Sequence, residues 1–356
     1  MQPDNFAATF AGHSVAIKQD VYYLCCMTMK NSSRPFVSGI INHCYQNTIN
    51  GALLFYSVSD FLVMFTLICV ASKRYDVRVL KLCFMPDHIH GSYVSIYKRQ
   101  LSSFVGYYTS EYVKMFNDFY GRRGPLFNSP FGSVPKIGDK KGRTNLIYVD
   151  NNPVERRLVN DAALYRWNFL AYGQSDHPFS EPFKKRTASR TMKNAMAMVD
   201  LQCSRGHPLT FALLQKWFSR LGKKESNQLV DYIITTYSVI DYNAASRFFG
   251  GFDNMLLSIR STTGSEYDIN EPFEGRNDSY YAMMSAWLLK TGRFNDVHKV
   301  ITLPLDEKLN LFRELRCVTN ATPGQVAKYL HLPPPNKRPQ GAEGINRVQG
   351  SATSSG

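Results

Sequence analysis

VRVLKLCFMPDHIHGSYVSI, residues 77–96, decides how this chain is read. Val77, Val79 and Lys81 alternate with Arg78, Leu80 and Leu82, the period of two expected of a strand. Pro86-Asp87 reads as a turn, and HIHGSYVSI (88–96) reads as a second strand. Strands joined this closely pair antiparallel as a hairpin. Because strand side chains alternate between faces, His88 and His90 point the same way and can share one divalent cation, while Ile89 turns into the core.

Outward from the hairpin, Leu101, Phe104, Val105, Tyr108, Tyr112 and Phe116 give residues 97–120 helical spacing. Upstream, Val37, Ile40, Ile41 and Cys44, then Leu53, Leu54, Val58 and Leu62, predict helices between 36 and 72, and VYYLCCMTM (21–29) predicts a buried strand. A loop rich in Gly, Arg and Pro fills 121–138. Asp139 then suits the N-cap of a helix running to Asn152, and Pro153 should end it. This order predicts an α+β fold, a ferredoxin-like domain with an antiparallel sheet over residues 1–180. EPFKKRTASR (181–190) is a basic linker. Helical patterns at 210–221, 225–240, 278–290 and 306–319 then predict a mostly α-helical C-terminal domain over 181–332. Residues 333–356 are low in complexity and expected to be disordered.

The 356 residues hold 42 Lys and Arg against 28 Asp and Glu, a formal net charge of +14, which points to a polyanionic partner. With 44% hydrophobic and 13% aromatic residues this is a core-forming chain, not a basic tail or a disulfide scaffold. Seven cysteines, an odd number without a CxxC pair, suit a reducing compartment. MQPDNFAATFAGH lacks the charged start and apolar run of a signal peptide, and the most hydrophobic segment, 61–72, is too short to span a bilayer. The expectation is a cytoplasmic protein with no membrane partner.

Tyr148 and Asn152 lie four residues apart, on one face of the helix that follows the basic loop. A tyrosine hydroxyl is a weak nucleophile at neutral pH, but a nearby cation can help deprotonate it or polarise its target. The Asn152 carbonyl oxygen is a hard ligand of the kind Mg²⁺ or Mn²⁺ accepts. Spacing alone leaves both as packing residues.

CFMPDHIHGSYVS (83–95), GRRGPLF (121–127), LIYVDNNPVERRLV (146–159) and YRWNFLAYG (165–173) together resemble the single-tyrosine HUH transposases, and within them the REP-associated tyrosine transposases. Motifs of the form MPDHxHxL, GRxG, YIxxNPxRAGLV and YxWSSY follow there in the same order; the resemblance covers roughly residues 15–175. It implies that His88 and His90 hold a catalytic Mg²⁺ or Mn²⁺. It implies that Tyr148 attacks a phosphodiester of single-stranded or hairpin DNA to give a 5′-phosphotyrosine and a free 3′-OH. Asn152 stands where insertion-sequence relatives carry a third, amide ligand. The phosphotyrosine conserves the bond energy, so a second 3′-OH can rejoin strands without ATP. The resemblance also places the protein on the bacterial nucleoid when it is bound to DNA. Glu155 and Arg156-Arg157 depart from the small residues usual in the third motif, and YRWNFLAY departs from the fourth.

Between 121 and 190 thirteen basic residues face six acidic ones, a net +7 that brackets Tyr148. Arg122, Arg123, Lys136, Lys140, Lys141, Arg143, Arg156, Arg157, Lys184, Lys185 and Arg186 are the expected grip on the DNA backbone. Phe127, Phe131 and Tyr172 are aromatic enough to stack unpaired bases. Near the C-terminus, Thr322 and Gln325 form a capping box with Pro323 at the first helical position. PGQVAKYLHLP resembles the opening of a helix-turn-helix, yet PPPNKRPQ cannot supply a recognition helix. A rival reading is a domesticated, non-cleaving binder of structured DNA with a regulatory role; the presence of His88, His90 and Tyr148 argues against it. A two-metal RNA nuclease or other phosphodiesterase would need several carboxylates, and no Asp/Glu cluster accompanies the histidines in sequence. Whether the chain acts as monomer or homodimer is not readable from the residues.

Overall fold

A computed structural model describes residues 34–128, 130–184, 186–262 and 277–333. The strand expected at 21–29, Lys185 and the tail from 334 onward lie outside the described residues. Four strands, β1 (Asn42–Asn47), β2 (Arg78–Met85), β3 (His88–Val94) and β4 (Gly132–Pro135), form one sheet in the order β2-β3-β1-β4. Every neighbouring pair is antiparallel. Helix α1 (Val58–Tyr75) connects β1 to β2 and α2 (Lys98–Tyr120) connects β3 to β4, which is the ferredoxin-like connectivity.

One expected helix is a strand. Ile41 and Cys44 carry helical spacing, but residues 42–47 form the central strand β1, paired with β3 on one side and β4 on the other. Two flanking ladders supply hydrogen bonds and cross-strand packing that a short, weakly apolar helical stretch cannot match. At the β1–β4 edge Tyr45 faces Gly132, where a Cβ would lie 2.0 Å from the tyrosine ring, so only glycine lets the ring close over the strand.

The two faces of the sheet differ in chemistry. Cys44, Leu82, Phe84, Ile89 and Tyr93 pack on α1 and α2 through Leu62, Phe65, Phe104 and Tyr108. The opposite face carries His43, Tyr45, Lys81, Cys83, Met85, His88, His90 and Ser92, aligned by the strand register. A register irregularity between Val79 and Lys81 puts the lysine on this polar face.

Helix α3 (Asp139–Glu155) covers the polar face, with Tyr148 and Val149 packed against Cys83 and Met85. Its boundaries differ from expectation at both ends. Gly138 occupies the N-cap position and Asp139 is the first helical residue, where its carboxylate suits the helix dipole. Pro153 lies inside the last turn instead of ending the helix. A proline there removes a single ladder bond, and the Arg156 N–H still reaches the Asn152 carbonyl at 3.0 Å. The Lys81 ammonium and the Asp150 carboxylate meet at 2.6 Å with side-chain exposures of 1% and 0%. Burial pushes the Asp150 carboxyl up, and Lys81 opposes it.

Nine further helices follow: α4 (Arg190–Ser204), α5 (Phe211–Phe218), α6 (Lys223–Tyr237), α7 (Tyr242–Arg247), α8 (Phe252–Ser261), α9 (Ser279–Lys290), α10 (Lys299–Thr302), α11 (Leu305–Val318) and α12 (Pro323–Tyr329), among the described residues. Phe211, Leu214, Leu229 and Ile233 of α5 and α6 join the apolar cluster beneath the sheet. Ala245, Met255, Leu256 and Ile259 of α7 and α8 pack on Leu146 and Ile147 along the outer side of α3. Buried His298 bonds Asp60 of α1 at 2.8 Å and Asp296 at 2.6 Å. Burial works against its charge, but the two carboxylates raise its pKa to about 9.

Removing one partner of a buried ion pair strands the other charge. Lys81→Met should therefore lower the unfolding free energy by roughly 3–5 kcal/mol, while Lys81→Met with Asp150→Leu should recover most of that loss. Urea unfolding of the three proteins, followed by circular dichroism, reads the difference.

Candidate active site

The site is built on the β-hairpin and roofed by α3. His88 and His90 share one face of β3, with ring centroids 4.7 Å apart. The i+2 spacing thus puts both rings on one face, as strand alternation predicts. The Tyr148 ring comes within 5.5 Å of the His90 ring, edge to face. The structure therefore brings together the two histidines and the tyrosine that spacing and resemblance single out.

A third histidine, absent from the sequence reading, joins them. His43 on β1 lies 5.3 Å from His90 and 5.7 Å from Tyr148, centroid to centroid. It belongs to a hydrogen-bonded chain. Ser92 Oγ donates to Asn145 Oδ1 at 2.8 Å, Asn145 Nδ2 lies 2.6 Å from His43 Nδ1, and His43 Nε2 lies 3.3 Å from His90 Nδ1. With Asn145 donating, His43 carries its proton on Nε2 and passes it toward His90 Nδ1. Turning the amide over reverses every bond, places a proton on His90 Nδ1 and leaves its Nε2 with a free electron pair. That Nε2 is buried without a hydrogen-bond partner.

His88 is fixed from the other end. Asp87 Oδ1 accepts from His88 Nδ1 at 2.6 Å, which directs the Nε2 electron pair away from the carboxylate. Asp87 Oδ2 takes the Lys328 ammonium at 2.6 Å, so a residue of α12 reaches the site. Although burial opposes ionisation, His88 and Lys328 hold the Asp87 carboxyl well below the usual carboxylate range. Asp278 closes the same end: its N–H donates to the Arg156 carbonyl at 3.1 Å. Burial, with Asp87 nearby, raises its own carboxyl to about 6.

The centre is dry. His90 is 1%, His43 3%, Tyr148 5% and His88 7% exposed. Burial first, then Lys136, lowers His43 to about 3, with the Asn145 hydrogen bond opposing. His90 is lowered by burial, then by His88, His43 and Arg156. Both imidazoles are thereby kept neutral, the form that ligates metals. Asn152 is buried as well, and its amide nitrogen donates to the Tyr148 carbonyl at 2.9 Å, leaving Oδ1 as the atom able to serve a cation. Among the described residues no group of three or more His, Cys, Asp or Glu is arranged to hold a metal ion.

The expected DNA grip divides. Lys136 and Arg156 are half-buried and act electrostatically on the histidines. Arg123, Lys140, Lys141, Arg143 and Arg157 are exposed, as are Lys184 and Arg186 in the linker. Arg122 is turned inward: its guanidinium donates to Asn117 Oδ1 and to the Gly124 and Pro125 carbonyls, holding the loop after α2. Of the aromatics offered for stacking, Phe127, Phe131 and Tyr172 are buried. Among the described residues no helix is long and apolar enough to cross a membrane.

His43, Asn145, Asp87 and Lys328 escaped the sequence reading for different reasons. His43 sits in a strand with helix-like spacing, Asp87 looks like a turn former, and Lys328 lies some 240 residues from its partner. Asn145 had a usable signal, since it precedes Tyr148 by three residues on the same helix.

No family model and no curated protein matches the chain. One solved structure does align. It is a REP-associated tyrosine transposase bound to a REP hairpin, and the match covers 46% of this chain and 98% of that one, at 12% identity and a TM-score of 0.34.

Neutral His43 has a consequence for pH. Its folded pKa lies below the unfolded value, so the unfolded chain alone takes up the proton, and stability is lost as pH falls below about 6.5. His43→Gln removes that site. The stability gap between wild type and His43→Gln should close by about 1.4 kcal/mol per pH unit between pH 6 and 4, read by urea unfolding across that range.

Proposed function

We propose that the chain is a metal-dependent single-stranded DNA endonuclease and strand transferase, acting on hairpin DNA through a tyrosine nucleophile. The observation that carries this reading is the meeting of Tyr148 with His88 and His90 on the polar face of the sheet, His90 at 5.5 Å from the tyrosine ring. The four motifs that resemble the single-tyrosine transposases include all three residues.

In this reading His88, His90 and Asn152 would hold a hard divalent cation such as Mg²⁺ or Mn²⁺. His88 Nε2 is left free by the Asp87 contact, His90 Nε2 is buried without a partner and offers its electron pair when the Asn145 amide is turned over, and Asn152 Oδ1 is the remaining oxygen. A bound cation would supply Lewis-acid polarisation of the scissile phosphate. The chain's own groups do the rest. Tyr148 Oη attacks phosphorus, the bond from phosphorus to the 3′ oxygen breaks, and the DNA is left with a 5′-phosphotyrosine and a 3′-OH. The tyrosine proton leaves as the new P–O bond forms, and the 3′ oxygen takes a proton as it departs. Attack by a second 3′-OH reverses these bond changes and joins strands. Lys140, Lys141 and Arg143 at the start of α3 and Arg157 beyond its end are exposed and would hold phosphates on either side.

One observation favours the rival, a non-cleaving binder of structured DNA: Tyr148, His88 and His90 are all buried. A phosphate reaches them only when the cover over the site opens. Incubation of the full chain with labelled hairpin DNA and Mn²⁺ separates the two readings on a denaturing gel. A covalent adduct that disappears with EDTA and with Tyr148→Phe is expected. An adduct that survives Tyr148→Phe would remove the nucleophile assignment, and binding without adduct across varied hairpins would leave the binder.

A further inference from the structure

Lys328 of α12 is separated in sequence from the hairpin, yet its ammonium rests on the carboxylate that orients His88. We propose that Lys328 is a positioning residue for the histidine pair, and that the last helix of the described chain thereby completes the candidate metal site. The proposal rests on the reading of His88 as a ligand.

The route of the side chain is built into the fold. Lys328 passes over Gly51, which has φ +63°, and a Cβ at that glycine would lie 2.7 Å from Lys328 Cε. Glycine there serves two needs, a left-handed backbone and room for the lysine stem. The α12 backbone is locked at the same place. The Leu53 N–H donates to the Lys328 carbonyl at 2.9 Å, His331 Nε2 lies 2.8 Å from the Leu53 carbonyl, and the Tyr56 hydroxyl donates to the Tyr329 carbonyl. At its start α12 has the capping box of Thr322 and Gln325, and Gln325 Nε2 also donates to the Asn277 carbonyl at 2.9 Å. Val326, Ala327, Tyr329 and Leu330 of the same stretch are buried.

The contact at Asp87 is where docking becomes function. One carboxylate oxygen holds His88 Nδ1 and the other holds Lys328 Nζ, both at 2.6 Å. The Asp87 main-chain carbonyl takes the Thr48 hydroxyl at 3.1 Å, so the backbone of the turn is held independently. What Lys328 adds is a lock on carboxylate rotation. With both oxygens engaged, Asp87 presents a single lone-pair direction to His88, which keeps the proton on Nδ1 and the imidazole plane set. A lysine used only to dock α12 would need no partner that touches a histidine. The hydroxyl, carbonyl and apolar contacts around Leu53 and Tyr56 dock the helix without it.

The test uses the full chain with Lys328→Met, Asp87→Ala and the double variant. Two readouts are taken: long-range ¹⁵N NMR of the His88 ring in metal-free protein, and Mn²⁺ affinity by electron paramagnetic resonance. Wild type should show one His88 tautomer, protonated on Nδ1. Lys328→Met should show averaged ring signals and a Mn²⁺ Kd raised ten- to a hundredfold, the range seen when outer-shell partners of a ligand are lost. The double variant should bind no more weakly than Asp87→Ala, because the lysine acts through the aspartate. A single Nδ1–H tautomer with Mn²⁺ affinity within twofold of wild type in Lys328→Met would overturn the proposal. Absence of Mn²⁺ binding in wild type would instead overturn the metal reading, and the ring signals would then decide the role of Lys328 alone. Should Lys328→Met fail to fold, Gly51→Ala, which crowds the lysine stem and keeps its charge, is read in the same two ways.

Discussion

The buried ion pair of Lys81 and Asp150 is the constraint on which the rest of the site geometry depends. It joins the edge strand β2 to α3 at 2.6 Å, and neither charge has access to water. A buried pair of this kind adds little net stability over an apolar substitute, but every arrangement that separates it is strongly disfavoured. It therefore acts on specificity more than on stability. The irregularity between Val79 and Lys81 sends the lysine to the polar face, and the register then places Cys83 opposite His90 and Met85 opposite His88. A slip of one residue in β3 would turn both histidines into the apolar layer beside Phe84 and send Ile89 out to the polar face. With Asp150 held, Asn145, Tyr148 and Asn152 follow at helical spacing, and Tyr148 meets the histidines.

Burial and neutrality support one another at this centre. A protonated imidazole in a dry interior is costly unless paired, so burial keeps His43 and His90 neutral and Lys136 and Arg156 add to the same bias. Neutral rings then need each hydrogen-bonding atom accounted for. Asn145 and Ser92 account for His43, His43 accounts for one nitrogen of His90, and Asp87 accounts for one of His88. The nitrogens left over are those a cation would use.

Much of this was legible from the residues, and the failures have local causes. The hairpin could be read because VRVLKLCF and HIHGSYVS alternate and a Pro-Asp turn separates them. Helices α1 and α2 could be read because their apolar faces are long. β1 could not: its pattern is short, its neighbours are polar, and it exists because β3 and β4 pair with it from distant parts of the chain. His43 was lost along with that strand. Pro153 was over-read as a stop, since in the final turn a missing N–H removes little. The capping box at Thr322 was visible, but capping chemistry reports where a helix starts, never what its lysine will touch.

The net charge also changes meaning once the side chains are placed. A count of basic residues around Tyr148 treats them alike, yet Arg122 is consumed by its own loop, and Arg166 is set between Asp231 at 3.4 Å and the ring of Phe179 at 4.9 Å. Such groups hold the fold and are not available to a phosphate. The exposed cations that remain near the tyrosine lie at the two ends of α3, with Lys140, Lys141 and Arg143 before it and Arg157 after it. Phosphates attract mobile cations anywhere on a surface, but placement of a scissile bond demands that grip and nucleophile keep a fixed distance. One helix, pinned by Asp150 on one side and by Ala245, Met255 and Ile259 on the other, carries the tyrosine and both groups of cations. Under the proposed function, the rigidity of α3, more than the size of the charge, is what would let a basic surface present a strand to a chosen atom.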